Sequence, residues 1–186
     1  MVDSHGNTEA AVKVPISGRF KIGKVGTATL QDNATFKTGA APSGTGWLDT
    51  GLNTEDGSYQ FNFSQPEIIK LWQKGYSVVG EGDNKTVTGT FAELQDVVLG
   101  LLAADTPDSD GLSIIKESNQ QKYYGWWQIL FSDGSVLTRD GVGSIFVEEA
   151  QFTRGTPHGR PWTFTADYRT EWGGIFRQLY LEELSA

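Results

Sequence analysis

The sequence predicts a single, mainly β domain, a β-sandwich or half-barrel flanked by one α-helix. Three observations carry that prediction. Apolar and polar residues alternate over short runs along most of the chain, the period of a strand with one buried face. Gly, Asp and Ser cluster between those runs, where turns need them. Only residues 91–103 carry apolar side chains at helical spacing. A chain of 186 residues with 38% hydrophobic and 12% aromatic content is long and apolar enough for one domain with a sizeable core.

The elements follow in order. Residues 1–11 are polar and read as an N-terminal arm. Val12, Val14 and Ile16 alternate with other residues, giving a strand that ends at Ser17-Gly18. Residues 19–30 continue the β pattern with Phe20 and Ile22 on one side. Residues 31–46 are rich in Gly, Ala, Thr and Ser, contain Pro42, and read as a long exposed loop. The cleanest alternation comes next: Tyr59, Phe61 and Phe63 face one way, and Ser58, Gln60, Asn62 and Ser64 the other. Residues 76–81 are strand-like, and residues 85–90 set Thr86, Thr88 and Thr90 on one face. One sheet therefore carries a polar face of small residues.

Thr90 is the expected N-cap of a helix over 91–103, and Glu93, three residues on, completes a capping box. Phe91, Leu94, Val98, Leu101 and Leu102 form its apolar stripe, which should cover one side of a sheet. Pro107 and the acidic residues around it end the element. The rest reads as β, with strands expected over 112–117, 123–131, 135–139 and 144–152. Trp162, Phe164, Ala166 and Tyr168 alternate with Thr163, Thr165 and Asp167, and a last strand covers 175–184. Turns are expected at Ser132-Asp133-Gly134 and at Asp140-Gly141, because Gly accepts positive φ at little cost.

Composition narrows the function classes. The formal net charge is −8, and nearly all of the excess lies beyond residue 90, where 7 basic side chains face 14 acidic ones. An acidic surface repels phosphate backbones, which disfavours tight nucleic-acid binding. The absence of cysteine removes disulfides, thiol nucleophiles and cysteine-ligated zinc. No apolar run is long enough to span a bilayer, and the first residues lack the basic and apolar regions of a signal peptide.

Reactive motifs are scarce. Residues 106–117 fit a calcium loop in part, with Asp108, Asp110, Gly111 and Glu117 in step. Thr106 stands at the first position, however, and no paired helices flank the loop, so it reads as a solvated acidic loop. Glu148 and Glu149 are adjacent and on a strand would point to opposite faces, which rules out a carboxylate pair across one sugar bond. His5 and His158 have no metal-ligand spacing, and no nucleophile elbow or phosphate-binding glycine motif occurs. The expectation is a protein without catalytic residues, metal or cofactor. Trp47, Trp72, Trp126, Trp127, Trp162 and Trp172 could include a sugar-stacking platform, so an aromatic-rich β-sandwich carbohydrate-binding module is the alternative. The other use of such rings is as core or interface anchors. Trp126 and Trp127 are neighbours, so on a strand one faces inward and the other offers a ring to a subunit contact.

One stretch has a family likeness. Trp47, Asp49, Gly51, Glu55, Asp56 and Gly57 form a W-x-D-x-G-x-x-x-E-D-G run. Ile69, Trp72 and Gln73 then form an I-x-x-W-Q step, and residues 87–101 run from a strand into a helix. This combination resembles the major tail tube proteins of long-tailed, non-contractile bacteriophages. The likeness covers residues 12–184 as a pattern and is most specific over 47–103. It implies the phage tail-tube fold, one domain over residues 1–186, and six copies in a ring whose sheets join into a continuous inner β-barrel. Rings would stack into a tube through the N-terminal arm and the 31–57 region, with Trp47, Asp49, Glu55 and Asp56 as expected inter-ring contacts. The bore would be lined from Gln60, Asn62, Glu81, Thr86, Thr88 and Glu149. The implied role is a structural virion protein of the tail, assembled in the host cytoplasm and serving as a conduit for DNA. Its partners would be further copies of itself, a tape-measure protein, a tail terminator and tail-tip proteins. Viral DNA would pass without specific binding, and no membrane would be involved.

Overall fold

The structure is a computed structural model that describes residues 13–51, 53, 59–63, 68–70, 77–79, 85–92, 96–103, 109–110, 112, 121–148 and 159–182. In chain order the elements are β1 (Pro15–Lys24), α1 (Asn33–Phe36), β2 (Trp47–Asp49), β3 (Gln60–Asn62), β4 (Ile68–Lys70), β5 (Ser77–Val79), β6 (Lys85–Phe91), α2 (Asp96–Ala103), β7 (Tyr123–Phe131), β8 (Val136–Val147), β9 (Arg160–Ala166) and β10 (Phe176–Leu181). The protein is mainly β, with an antiparallel main sheet and few helices. The sheet runs in the order β2-β1-β7-β8-β9-β6-β3, with β10 also on β8; β4 and β5 form a separate two-stranded pair among the described residues.

β8 organises this sheet. Its first half lies between β7 and β10, and its last five residues pair with β9. Antiparallel partners share a face, so the registers sort every side chain to one of two sides. On the first side lie Phe20, Trp127, Phe164, Trp162, Val87 and Phe91, all buried. Phe20 stacks on Trp127 at 5.0 Å and on Trp162 at 4.8 Å, although β7 and β8 lie between β1 and β9 in the sheet. A flat sheet would hold these rings apart, so the sheet is rolled around them. The chain closes the roll where Asn53 bridges Phe91 and Thr50 bonds the Phe20 carbonyl. Val98 and Leu101 of α2 join the same aromatic interior. Each fully buried Phe or Leu there contributes about 1.5–3 kcal/mol by removal from water.

A second, smaller core sits on the other side of the sheet. Trp47 and Trp126 pack with Ala28 and Phe36, flanked by Leu30, Ala41, Tyr124 and Leu179. The cover over it is the stretch expected to be an exposed loop. Asp32 caps α1 by accepting from the Thr35 amide at 2.7 Å, and Phe36, Gly39 and Pro42 are buried. Three sheet side chains fasten it. Lys21 donates to the Pro42 carbonyl at 3.0 Å, Gln128 to that of Gly39 at 2.9 Å, and Arg177 to that of Gln31 at 2.9 Å.

Several expectations hold. β7 covers residues 123–131, and the turn after it has Gly134 at φ 82, with its amide donating to the Phe131 carbonyl. β3, β6 and β9 show the expected alternation, and β10 lies within the last expected strand.

Others need correction. β1 does not end at Ser17-Gly18 but runs through it, with a register shift between Pro15 and Ser17. Asp140-Gly141 is no turn, because β8 continues through both residues. The helix expected over 91–103 is observed over Asp96–Ala103; Thr90 and Phe91 belong to β6 and pair with β9, so Thr90 does not cap it. The short α1 is a second helix beyond the one expected. The expected strands over 112–117 and 149–152 lie outside the described residues, apart from an exposed Leu112.

Candidate functional site: a polar sheet face

Part of the second sheet side is free of the small core. There the registers assemble a polar array. Gln60 and Asn62 of β3 sit opposite Thr88 and Thr86 of β6. Those threonines sit opposite Thr163 and Thr165 of β9, and Thr165 sits opposite Ser144 of β8. Threonine suits such a surface because its branched side chain packs well on the pleat, and each cross-strand threonine pair adds roughly 0.2–1 kcal/mol. The far sides of the same strands carry Val87, Phe164 and Trp162 in the aromatic interior, which holds the array in register.

Among the described residues no charged side chain interrupts this array. Glu148 sits at one end, where its amide donates to the Pro161 carbonyl. At the other end Asp167 is paired with Lys122 at 2.8 Å. Phe146, opposite Thr163, is 67% exposed and is the one large apolar group on the face among the described residues.

The structure thus brings together four of the six expected lining residues: Gln60, Asn62, Thr86 and Thr88. Glu81 and Glu149 lie outside the described residues. Sequence reasoning missed Ser144, Thr163 and Thr165 as members. The signal for two of them was present, since Trp162 and Phe164 on the buried side fix Thr163 and Thr165 on the other.

Of the expected inter-ring set, only Trp47 and Asp49 are among the described residues. Trp47 is buried within the chain and donates its indole N–H to the Thr29 carbonyl at 2.8 Å. Asp49 accepts from Arg19 Nε at 2.8 Å. Glu55 and Asp56 lie outside the described residues. Trp126 departs from expectation. Neither it nor Trp127 offers a ring to solvent, at 0% and 1% exposure, because the 28–46 cover closes over Trp126. Trp162 is buried as well, Trp172 is half-buried against Arg169 and Arg177, and Trp72 lies outside the described residues.

Beneath the cover lies a buried ion pair that sequence reasoning did not find. Arg177 pairs with Asp140, donating from Nε to Oδ1 at 3.0 Å, and also donates to Asn33 Oδ1 at 2.8 Å. Its guanidinium lies over the rings of Phe36 and Trp172, at 4.5 and 4.8 Å. Burial pushes the Asp140 carboxyl above its ordinary pKa, and Arg177 pulls against that rise. The cluster fastens the cover, with Asp140 buried and Arg177 nearly so.

Among the described residues no three His, Cys, Asp or Glu side chains converge as metal ligands. His5 and His158 lie outside those residues, as do Thr106, Asp108, Gly111 and Glu117 of the partial calcium loop. No helix of the described residues is long and apolar enough to cross a membrane. No protein-family model matches this chain, and no curated protein matches it significantly.

Proposed function

We propose that the protein is a structural subunit of a tail tube. Copies form rings, six to a ring as the likeness to tail tube proteins implies, whose polar sheet faces line a bore through which DNA passes. The observation that carries this reading is the uncharged array of Gln60, Asn62, Thr86, Thr88, Thr163 and Thr165 across β3, β6 and β9. Duplex DNA carries one negative charge per about 1.7 Å of axis, and a basic wall would grip it through many phosphate contacts. A wall of hydroxyls and amides in an acidic protein has no such grip, so the polymer slides. Free sheet edges support the same reading. Among the described residues, β2, β3 and β10 each have one side without a partner strand, and such edges are templates for pairing with another chain. Head-to-tail contacts that close about a rotation axis end lateral growth in a ring.

The carbohydrate-module alternative would need exposed indoles side by side, and four of the six are buried. The tube reading is tested by Thr86→Lys with Thr88→Lys. Both side chains lie outside the aromatic interior, so tubes should still assemble. DNA ejection from particles built with the variant should slow or stall, with the effect weakening as salt rises. Ejection at the unaltered rate from intact tubes would remove these residues from the bore.

A further inference from the structure

Arg139 lies on the aromatic side of β8, near the mouth of the rolled sheet. It sits opposite Trp127 of β7 and Gln178 of β10. Its guanidinium carbon is 4.2 Å from the Phe61 ring centre and 5.5 Å from that of Phe63. Its Nε donates to Gln178 Oε1 at 2.8 Å. Arg19, Arg169 and Arg177 each have a carboxylate partner; Arg139 has none among the described residues. Burial lowers its pKa from the ordinary arginine value, although a guanidinium still stays charged. Phe63 beside it is 53% exposed, so the cage opens to solvent.

This is an incomplete constellation. The rings fix the guanidinium plane and partly strip it of water. Gln178 takes the Nε donor, and among the described residues neither Nη group has an acceptor. Such a fork is matched by a carboxylate or a phosphate that accepts from both nitrogens, and of the two a second copy of this chain supplies the carboxylate. Aromatic rings around an arginine are also the composition of energetic centres in protein interfaces.

We infer that the Arg139, Phe61, Phe63 and Gln178 cage receives an acidic side chain of a second copy of this chain. The occupant follows from charge: the chain carries 23 acidic against 15 basic side chains, so a neighbouring copy presents carboxylates in excess. The position agrees, since the cage borders β10 and β3, two strands with free edges among the described residues. The inference rests on the self-assembly reading and adds the contact that holds neighbours together.

The test is the concentration dependence of assembly, followed by sedimentation velocity, for the full chain and for Arg139→Met and Arg139→Lys. Methionine keeps an unbranched apolar stem between the rings and removes the fork. Melting of the dilute protein separates a folding defect from an association defect. The inference expects Arg139→Met to need about tenfold more protein to assemble, the effect of losing one central interface arginine. Arg139→Lys should fall between, and melting in dilute solution should change little. Raising the salt concentration should weaken wild-type assembly more than that of Arg139→Met. Wild type that assembles, with Arg139→Met assembling at the same concentration, overturns the carboxylate contact and leaves the tube reading standing. Wild type that never assembles overturns both. A lower melting point with unchanged assembly would make the cage an internal packing feature and also overturns the inference.

Discussion

Asp140 is 1% exposed, and its charge is met by a guanidinium that also ties down the cover. Taking two charges out of water is costly, and the pair holds because Arg177 has further acceptors at Asn33 and Gln31. Removing one partner is therefore worse than removing both. Asp140→Ala should cost about 3–5 kcal/mol in denaturant unfolding, and Asp140→Leu with Arg177→Met should cost less than that single change. Surface charge behaves differently. Asp133 bonds to Lys13 and to Ser135, and these contacts, Lys13 foremost, hold its carboxyl down at about 2. A carboxyl with a lowered folded pKa contributes stability that is present above its unfolded value and lost as pH falls through the folded one. Asp133→Asn should therefore flatten the fall in melting temperature between pH 4 and pH 2, measured by circular dichroism. Asp140 has the opposite sign: its raised pKa gives a contribution present at low pH and lost as pH rises through the folded value.

Among the elements, the cover and β8 explain most of the differences between sequence and structure. Residues 31–46 have the composition of a loop, yet Phe36 seals a core made from Trp47 and Trp126. Phe36→Ala should cost about 3–5 kcal/mol and shift tryptophan emission to the red as water reaches those indoles. Local pattern could not reveal this cover. Alternation along β7 correctly puts Trp126 and Trp127 on opposite faces, but only a segment distant in sequence decides that both faces are dry. Asp140-Gly141 reads as a turn by local preference, and the long-range partners Arg177 and Phe176 hold it as strand. The residues around Phe91 fit two periods at once. Phe91 begins a helical stripe with Leu94 and Val98, and it also ends the period-2 series of Val87 and Gly89; pairing with β9 settles it as strand. Where no distant segment competed, as in β3, β7 and β9, the alternation was legible and correct. The same alternation made most of the polar face legible; Ser144 and Phe146 join it only through the β8–β9 register.

As a whole the molecule is a sheet rolled on an aromatic interior, with a folded cover on one outer region and an uncharged polar array on another. Its strand order leaves free borders at β2, β3 and β10 among the described residues. Under the proposed function, these borders are where a neighbouring copy would continue the sheet. The most direct measurement is electron microscopy of the purified chain as its concentration is raised. The account predicts rings, then hollow tubes, whose averaged density places β3, β6 and β9 against the axial channel. Solitary particles at every concentration, or tubes in which that face points to the outside, would contradict it.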